Sequence, residues 1–313
     1  MLKENGCFLC IATAAVGALM GMSPAIAQEG SCKEATAGAI CQPTPEIVGG
    51  NLVSAADQHV LGLVSLSNDC SGTFLNQQWI LTTDHCVAGG VFGGPPLPFT
   101  SVQLRAAWTS AVATPTRFVR NWFGRDSRDV ALIFLGDGDL GPVNAQPITG
   151  ARANTADTLT KFGRGIFAYA TTSAGGDIPA QRDGQYRRAQ FHPSAITPNA
   201  YTLSVNAAGQ VGNGGDSGGA DRITTVSGPS AGFIGAIYGV QSTCHFTARL
   251  PGHPSPPIWD WVTNIDSCTS ASLESIANEI FEIVSERPSI GVPCSAQAAG
   301  CGVVEISKLL LLN

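Results

Sequence analysis

"GNGGDSGGAD", Gly212 to Asp221, sets one serine, Ser217, between an aspartate and a run of glycines. Glycines of this density allow a tight loop and leave the backbone N–H groups unobstructed by side chains. A serine in such a loop is placed to present its hydroxyl as a nucleophile, a role that needs partners elsewhere in the chain. Two other fragments carry suitable ones. "WILTTDHC" (Trp79–Cys86) closes an apolar run with His85 beside a cysteine, and "DVALIFL" (Asp129–Leu135) opens a second apolar run with an acid.

Taken singly, each fragment has an ordinary structural explanation: a histidine beside a cysteine, a turn aspartate, a glycine turn. Their order is more specific, with His85 followed by Asp129 after 44 residues and by Ser217 after a further 88. Attack on an acyl carbon needs a nucleophile, a base to take its proton, a group that fixes the base's tautomer, and donors for the oxyanion. Those four requirements map onto Ser217, His85, Asp129 and the glycine-rich backbone.

Around these fragments the chain reads as all-β. The 37 glycines, 19 prolines and 13% charged residues suit a loop-rich strand protein rather than a helical bundle. Short runs over 60–67, 72–82, 102–107, 130–135, 158–162, 186–191, 200–205 and 233–240 read as strands between turn residues. "GDGDLGPVNAQP" (Gly136–Pro147) reads as the connection between two β lobes flanking a cleft. Helical signals come late. "PPIWDWVTNI" (Pro256–Ile265) reads as a short helix, and Leu273, Ile276, Ala277, Ile280, Phe281 and Val284 form one apolar stripe ended by Pro288.

The N-terminus reads as an export signal over residues 1–27: Lys3, an apolar run from Phe8 to Met20, and the small residues Ala25–Ala27. Residues 28–46, with Cys32 and Cys41, read as a propeptide. Removing Cys7 and Cys10 with the signal leaves eight of the ten cysteines, an even number that favours disulfides in an exported chain. With no Cys-x-x-Cys pair beyond the signal, neither a metal nor any other cofactor is expected. The formal charge of −6 offers no basic footprint for nucleic acid. No membrane span is expected in the body of the chain, and the terminal "KLLLLN" is too short for one.

Over Ile47 to Asp266 the sequence resembles the chymotrypsin/trypsin-like serine endopeptidases. "IVGG" (Ile47–Gly50) is similar to the family's mature N-terminus and "CSGTFLNQQWILTTDHC" (Cys70–Cys86) to its first disulfide loop. "DVALIFL" matches the aspartate strand, "GDSGG" the nucleophile loop and "WDWV" (Trp259–Val262) the closing helix. The resemblance implies two six-stranded antiparallel barrels with a C-terminal helix, a domain over 47–266, and an extra tail over 267–313. It implies a Cys70–Cys86 disulfide and a triad of His85, Asp129 and Ser217. Gly215 and Ser217 would supply the oxyanion hole. Asp216 would pair with the ammonium freed by cleavage before Ile47, making the uncut chain a nearly inactive zymogen. The implied partners are protein or peptide substrates and an activating protease, the protein itself being a monomer.

The chain also departs from the pattern. Glu46, not Arg or Lys, precedes Ile47, so activation falls to a Glu-preferring protease or to the enzyme itself. The family's pocket base corresponds to Val211, followed by Gly212, and "IYGV" places Tyr238, Gly239 and Val240 on the pocket wall. Val211 cannot select Arg or Lys by charge, and together with Val240 it predicts a small or medium apolar residue before the scissile bond. Asn213 stands where the family has a cysteine. Cys244 therefore needs another mate: Cys268 is the first choice, with Cys32–Cys41 and Cys294–Cys301 as local pairs. His245, beside Cys244, is read as structural. The alternative function is a catalytically silent binding protein on the same scaffold. An esterase built around Gly-x-Ser-x-Gly is disfavoured because His85 precedes Ser217 in the chain.

Overall fold

The computed structural model describes residues 47–120, 128–136, 140–225, 232–253 and 258–285. The signal, the propeptide and both local cysteine pairs of the sequence reading lie outside these residues, as does the tail beyond 285.

Two curled antiparallel sheets make up the domain. The first contains β2 (Leu63–Leu66), β3 (Ser71–Phe74), β4 (Trp79–Thr82), β5 (Leu104–Arg105), β6 (Val112–Ala113), β7 (Arg117–Arg120) and β8 (Ala131–Phe134), in the order β6-β5-β2-β3-β4-β8-β7. The second contains β1 (Asn51–Leu52), β9 (Leu159–Gly163), β12 (Arg187–Phe191), β13 (Pro193–Ser194), β14 (Ala200–Ser204), β15 (Ala220–Ile223), β16 (Ile237–Arg249) and β17 (Val262–Ser272), in the order β1-β12-β9-β15-β16-β17-β14-β13. A hairpin of β10 (Thr171–Ser173) and β11 (Gly176–Ile178) stands apart from both. The architecture is the expected two-lobed β fold, with seven and eight strands in place of six and six. The difference comes from two-residue strands such as β1 and β13.

The apolar runs that flank the site are continuous because both of their faces are buried. Along β4 and β8, Trp79, Leu81, Val130, Leu132 and Phe134 face one core cluster, while Ile80, Ala131, Ile133 and Leu135 face another. The side-chain period of two therefore yields two buried faces and no polar alternation. The expected single strand over 72–82 is a hairpin. Asn76 turns the chain by accepting the backbone N–H groups of Gln78 at 3.0 Å and Trp79 at 2.9 Å through Oδ1.

The C-terminal region differs more from the sequence reading. "WDWV" does not form the closing helix: Ile258–Trp261 make one 3₁₀ turn and Val262 opens β17. That strand crosses the boundary drawn at 266, pairing with β14 on one side and β16 on the other. The closing helix is instead α3 (Ala277–Ser285), following α1 (Ala55–Val60) and α2 (Asp84–Val87) in chain order. Leu273, Ile276, Ala277, Ile280 and Val284 join Trp79 and Leu132 of the first lobe and Ile237 and Val240 of the second in one cluster. Residues 267–285 are therefore part of the domain core. Phe281 is only half-buried, and Ile283 packs against the cluster instead.

Candidate active site

His85 sits in α2, a single helical turn between two anchors. One is the Cys70–Cys86 disulfide, which ties α2 to the segment entering β3. The other is the fully buried Asp84, which pairs with Arg120 at 2.9 Å and accepts the Gly93 N–H at 2.9 Å. Asp129 precedes β8 and meets His85 twice. Its Oδ1 accepts the His85 backbone N–H at 2.9 Å, and its Oδ2 lies 2.6 Å from His85 Nδ1. A third donor, the Ser242 hydroxyl, reaches the same Oδ2 at 2.5 Å.

Burial alone would raise the Asp129 pKa. The His85 ring hydrogen bond and charge, the Ser242 hydroxyl and the His85 backbone N–H outweigh it and hold the carboxyl below the ordinary aspartate value of 3.8. An ionised carboxylate only accepts, so Nδ1 of His85 is the donor toward Asp129 and Nε2 is the ring nitrogen left for another partner.

The neighbouring Arg128 fixes the start of β8 to the second lobe. This buried guanidinium donates to the Ser272 carbonyl at 3.0 Å, to the Ser275 hydroxyl at 2.6 Å and to Asn199 Oδ1.

Ser217 lies on a loop whose shape requires glycine on both sides. Gly215 has φ +96° and Gly218 φ +79°; a Cβ on Gly218 would lie 2.2 Å from the Ser71 carbonyl oxygen. The loop is pinned where Ser71 N–H donates to the Ser217 carbonyl at 2.7 Å and Gly218 N–H to the Gln241 carbonyl at 2.9 Å. Among the described residues, the N–H groups of Gly215 and Ser217 donate to no protein acceptor. Both residues line the cleft. His85, Asp129, Ser217 and Ser242 line one cleft of about 1000 Å³.

The Trypsin family model matches residues 47–240. This chain belongs to the trypsin family. No curated protein matches it. In this trypsin-family domain the match ends two residues before Ser242, so the partner of Asp129 lies beyond the matched segment.

The expected pocket residues are in the core instead of the cleft. Val211 is fully buried with Val262, Ile265 and Cys268, and its N–H bonds to the Val48 carbonyl at 3.2 Å. Tyr238 packs edge-on against Tyr201, and Val240 lies in the cluster that holds α3. Gly239 is buried, and a Cβ there would lie 2.4 Å from the Ala271 carbonyl oxygen. Gly212 is buried too. The wall is shifted along β16 to Gln241, Ser242, Thr243 and Cys244, facing Asn213 and Gly214. The predicted preference for a small or medium apolar residue thus loses its basis, because Val211 and Val240 point their side chains into the core.

Cys244 pairs with Cys268 across adjacent strands, as expected. His245 is not merely a neighbour of that bridge: on the exposed hairpin its Nδ1 lies 2.9 Å from Asp266. Donor atoms of Cys70, His85 and Cys86 lie within 4.8 Å of one another, but both sulfurs are in the disulfide and are not thiolate ligands.

Asp216 is fully buried. Its Oδ1 accepts the Gly165 N–H and its Oδ2 the Asn213 N–H, each at 2.8 Å. Burial pushes its pKa up to about 6 in spite of these donors and the charges of Lys161 and Arg182. Ile47 is fully buried with Leu159, Phe191 and Tyr201. The two disulfides suit an oxidising, extracellular setting. No described helix is long and apolar enough to cross a membrane.

Proposed function

We propose that the protein is a secreted serine endopeptidase acting on proteins or peptides through Ser217, His85 and Asp129. The observation that carries this reading is the His85–Asp129 contact at 2.6 Å in the cleft that also presents Ser217. Ser217 Oγ attacks the substrate carbonyl carbon and its proton passes to His85 Nε2. Asp129 holds the ring's tautomer and stabilises the imidazolium. The carbonyl oxygen, now negative, is received by the N–H groups of Gly215 and Ser217. Collapse of this intermediate breaks the C–N bond, and the departing amine takes the proton from His85. Water then attacks the acyl-enzyme with His85 as base, releasing the acid and restoring Ser217.

The reading includes activation by cleavage before Ile47. Asp216 is a buried carboxylate without a contacting cation, held by two neutral N–H donors. A buried acid with its pKa raised in this way gains from a nearby ammonium, which the freed Ile47 would supply. Because the Gly215 and Ser217 N–H groups donate to no protein acceptor in the uncut chain, the ion pair would hold the loop rather than build it.

The test is hydrolysis of a denatured protein by the processed chain and by its Ser217→Ala and His85→Ala variants. Cleavage by the parent and at least about 10³-fold less by each variant is expected. Equal background hydrolysis by all three would refute the assignment.

A further inference from the structure

Two residues that line the cleft beside Ser217 each carry a buried polar atom that the fold leaves without a partner. Asn213 and Gln241 both line the cleft and are 0% and 1% exposed. Each spends all but one of its polar side-chain groups within the protein. Asn213 Oδ1 accepts the Gly214 N–H at 2.7 Å, and Gln241 Nε2 donates to the Asn213 carbonyl at 2.8 Å. What remains is Asn213 Nδ2, a donor, and Gln241 Oε1, an acceptor, and neither has a hydrogen-bond partner. Buried polar groups are almost always paired, so two orphans on adjacent cleft-lining residues point to a ligand.

Space for the acceptor is built in. A Cβ at Gly212 would lie 2.2 Å from Gln241 Oε1, so any larger residue at 212 would collide with the carboxamide. The recess is also fixed to the catalytic loop. Asn213 stands two residues before Gly215, and the Gln241 backbone bonds Gly218 N–H at 2.9 Å and the Gly219 carbonyl at 3.0 Å. The substrate residue whose carbonyl meets Ser217 is therefore the one whose side chain lies nearest the recess.

Resting on the endopeptidase reading above, we propose that Asn213 and Gln241 read an uncharged carboxamide, the side chain of Gln or Asn, in the residue before the scissile bond. A carboxamide offers one carbonyl oxygen to Asn213 Nδ2 and one NH₂ to Gln241 Oε1. A carboxylate has only acceptors and leaves Gln241 Oε1 facing another oxygen. An ammonium or guanidinium has only donors and leaves Asn213 Nδ2 facing another donor. An alkyl side chain leaves both atoms bare after displacing any water. A site built to make such bonds rejects analogues that cannot make them more strongly than an apolar pocket rejects a change of size. Glu46 carries a carboxylate at neutral pH, so the recess assigns cleavage before Ile47 to a different protease.

The test uses the processed protein from the full chain and five internally quenched peptides of one sequence. They differ only in carrying Gln, Asn, Glu, Leu or Arg before the scissile bond, with the cut located by mass spectrometry. Gln or Asn should give kcat/KM at least about tenfold above Glu, Leu and Arg, the discrimination expected when one buried partner is left unpaired. Gln241→Met, which keeps length and removes the acceptor, should reduce the amide-over-Leu ratio to threefold or less, and Asn213→Ala supplies an independent second variant. If the native enzyme cuts Leu, Glu or Arg as fast as the better amide, the proposal is overturned, whatever the variants do. Labelling of Ser217 by a serine-directed phosphonate separates the two levels. A labelled enzyme without amide preference loses the recess and keeps the endopeptidase reading, whereas an unlabelled one loses both.

Discussion

Ser242 donates its hydroxyl to Asp129 Oδ2 at 2.5 Å, joining β16 of the second lobe to the acid that orients His85 of the first. Removing it should act on catalysis more than on binding, since Ser242 supports a charge that matters most when His85 is protonated. For Ser242→Ala we expect kcat to fall about 10–100-fold, the equivalent of one hydrogen bond to a charged group, with KM changed less than about threefold. Steady-state kinetics on one peptide check the split. An unchanged kcat with raised KM would place Ser242 in substrate binding alone.

Asp129→Asn keeps the shape of the acid but can donate to His85 Nδ1, which favours the tautomer with its proton on Nε2. A loss of about 10⁴ in kcat is expected, with near-native thermal stability. A loss below about tenfold would show that Asp129 does not set the His85 tautomer.

The proposed catalytic residues are legible in the sequence because each lies in a short, rigid segment whose constraints are local. Gly215 and Gly218 are dictated by backbone conformation and close approach, and "DVALIFL" is dictated by burial of both faces of β8. The pocket was not legible in the same way. Its wall is set by how β16 pairs with β15 and β17, and both ladders contain register shifts. "IYGV" is apolar because it is core, while the cleft-lining "QSTC" runs from buried Gln241 to exposed Thr243 and carries no periodic signal. A serine two residues before a cysteine in "VQSTC" was the one available hint of Ser242. β17 was missed for a related reason: "VTNIDSCTSAS" is polar on its solvent side, and the aromatic residues of "WDWV" imitate a helix start.

The C-terminal segment tests this reading of the fold. Ile280 is fully buried on α3 between the two lobes, so Ile280→Ala should cost about 2–5 kcal/mol by denaturant unfolding. Stability unchanged within about 0.5 kcal/mol would mean that α3 is dispensable to the domain.

Asp216 should give the uncut chain a distinctive pH dependence. Its folded pKa, about 6, lies above the unfolded value near 4, so its contribution is complete below about pH 4 and is lost as pH rises through 6. Asp129 works in the opposite sense, but its folded pKa is depressed, so its contribution is lost only as pH falls through the range below 3.8. An uncut Ser217→Ala chain should therefore lose on the order of 2 kcal/mol between pH 4.5 and 7.5 relative to its Asp216→Asn counterpart. Cleavage before Ile47 should remove that slope by supplying an ammonium. Identical slopes in the cut and uncut chains would disconnect Asp216 from activation.

The role of Ser217 as nucleophile is tested covalently, by treating the secreted, processed protein with a serine-directed phosphonate and locating the adduct by mass spectrometry. A single adduct on Ser217, absent from Ser217→Ala and strongly slowed in His85→Ala, is the predicted result. No adduct on correctly processed protein, or an adduct on another serine, would contradict it.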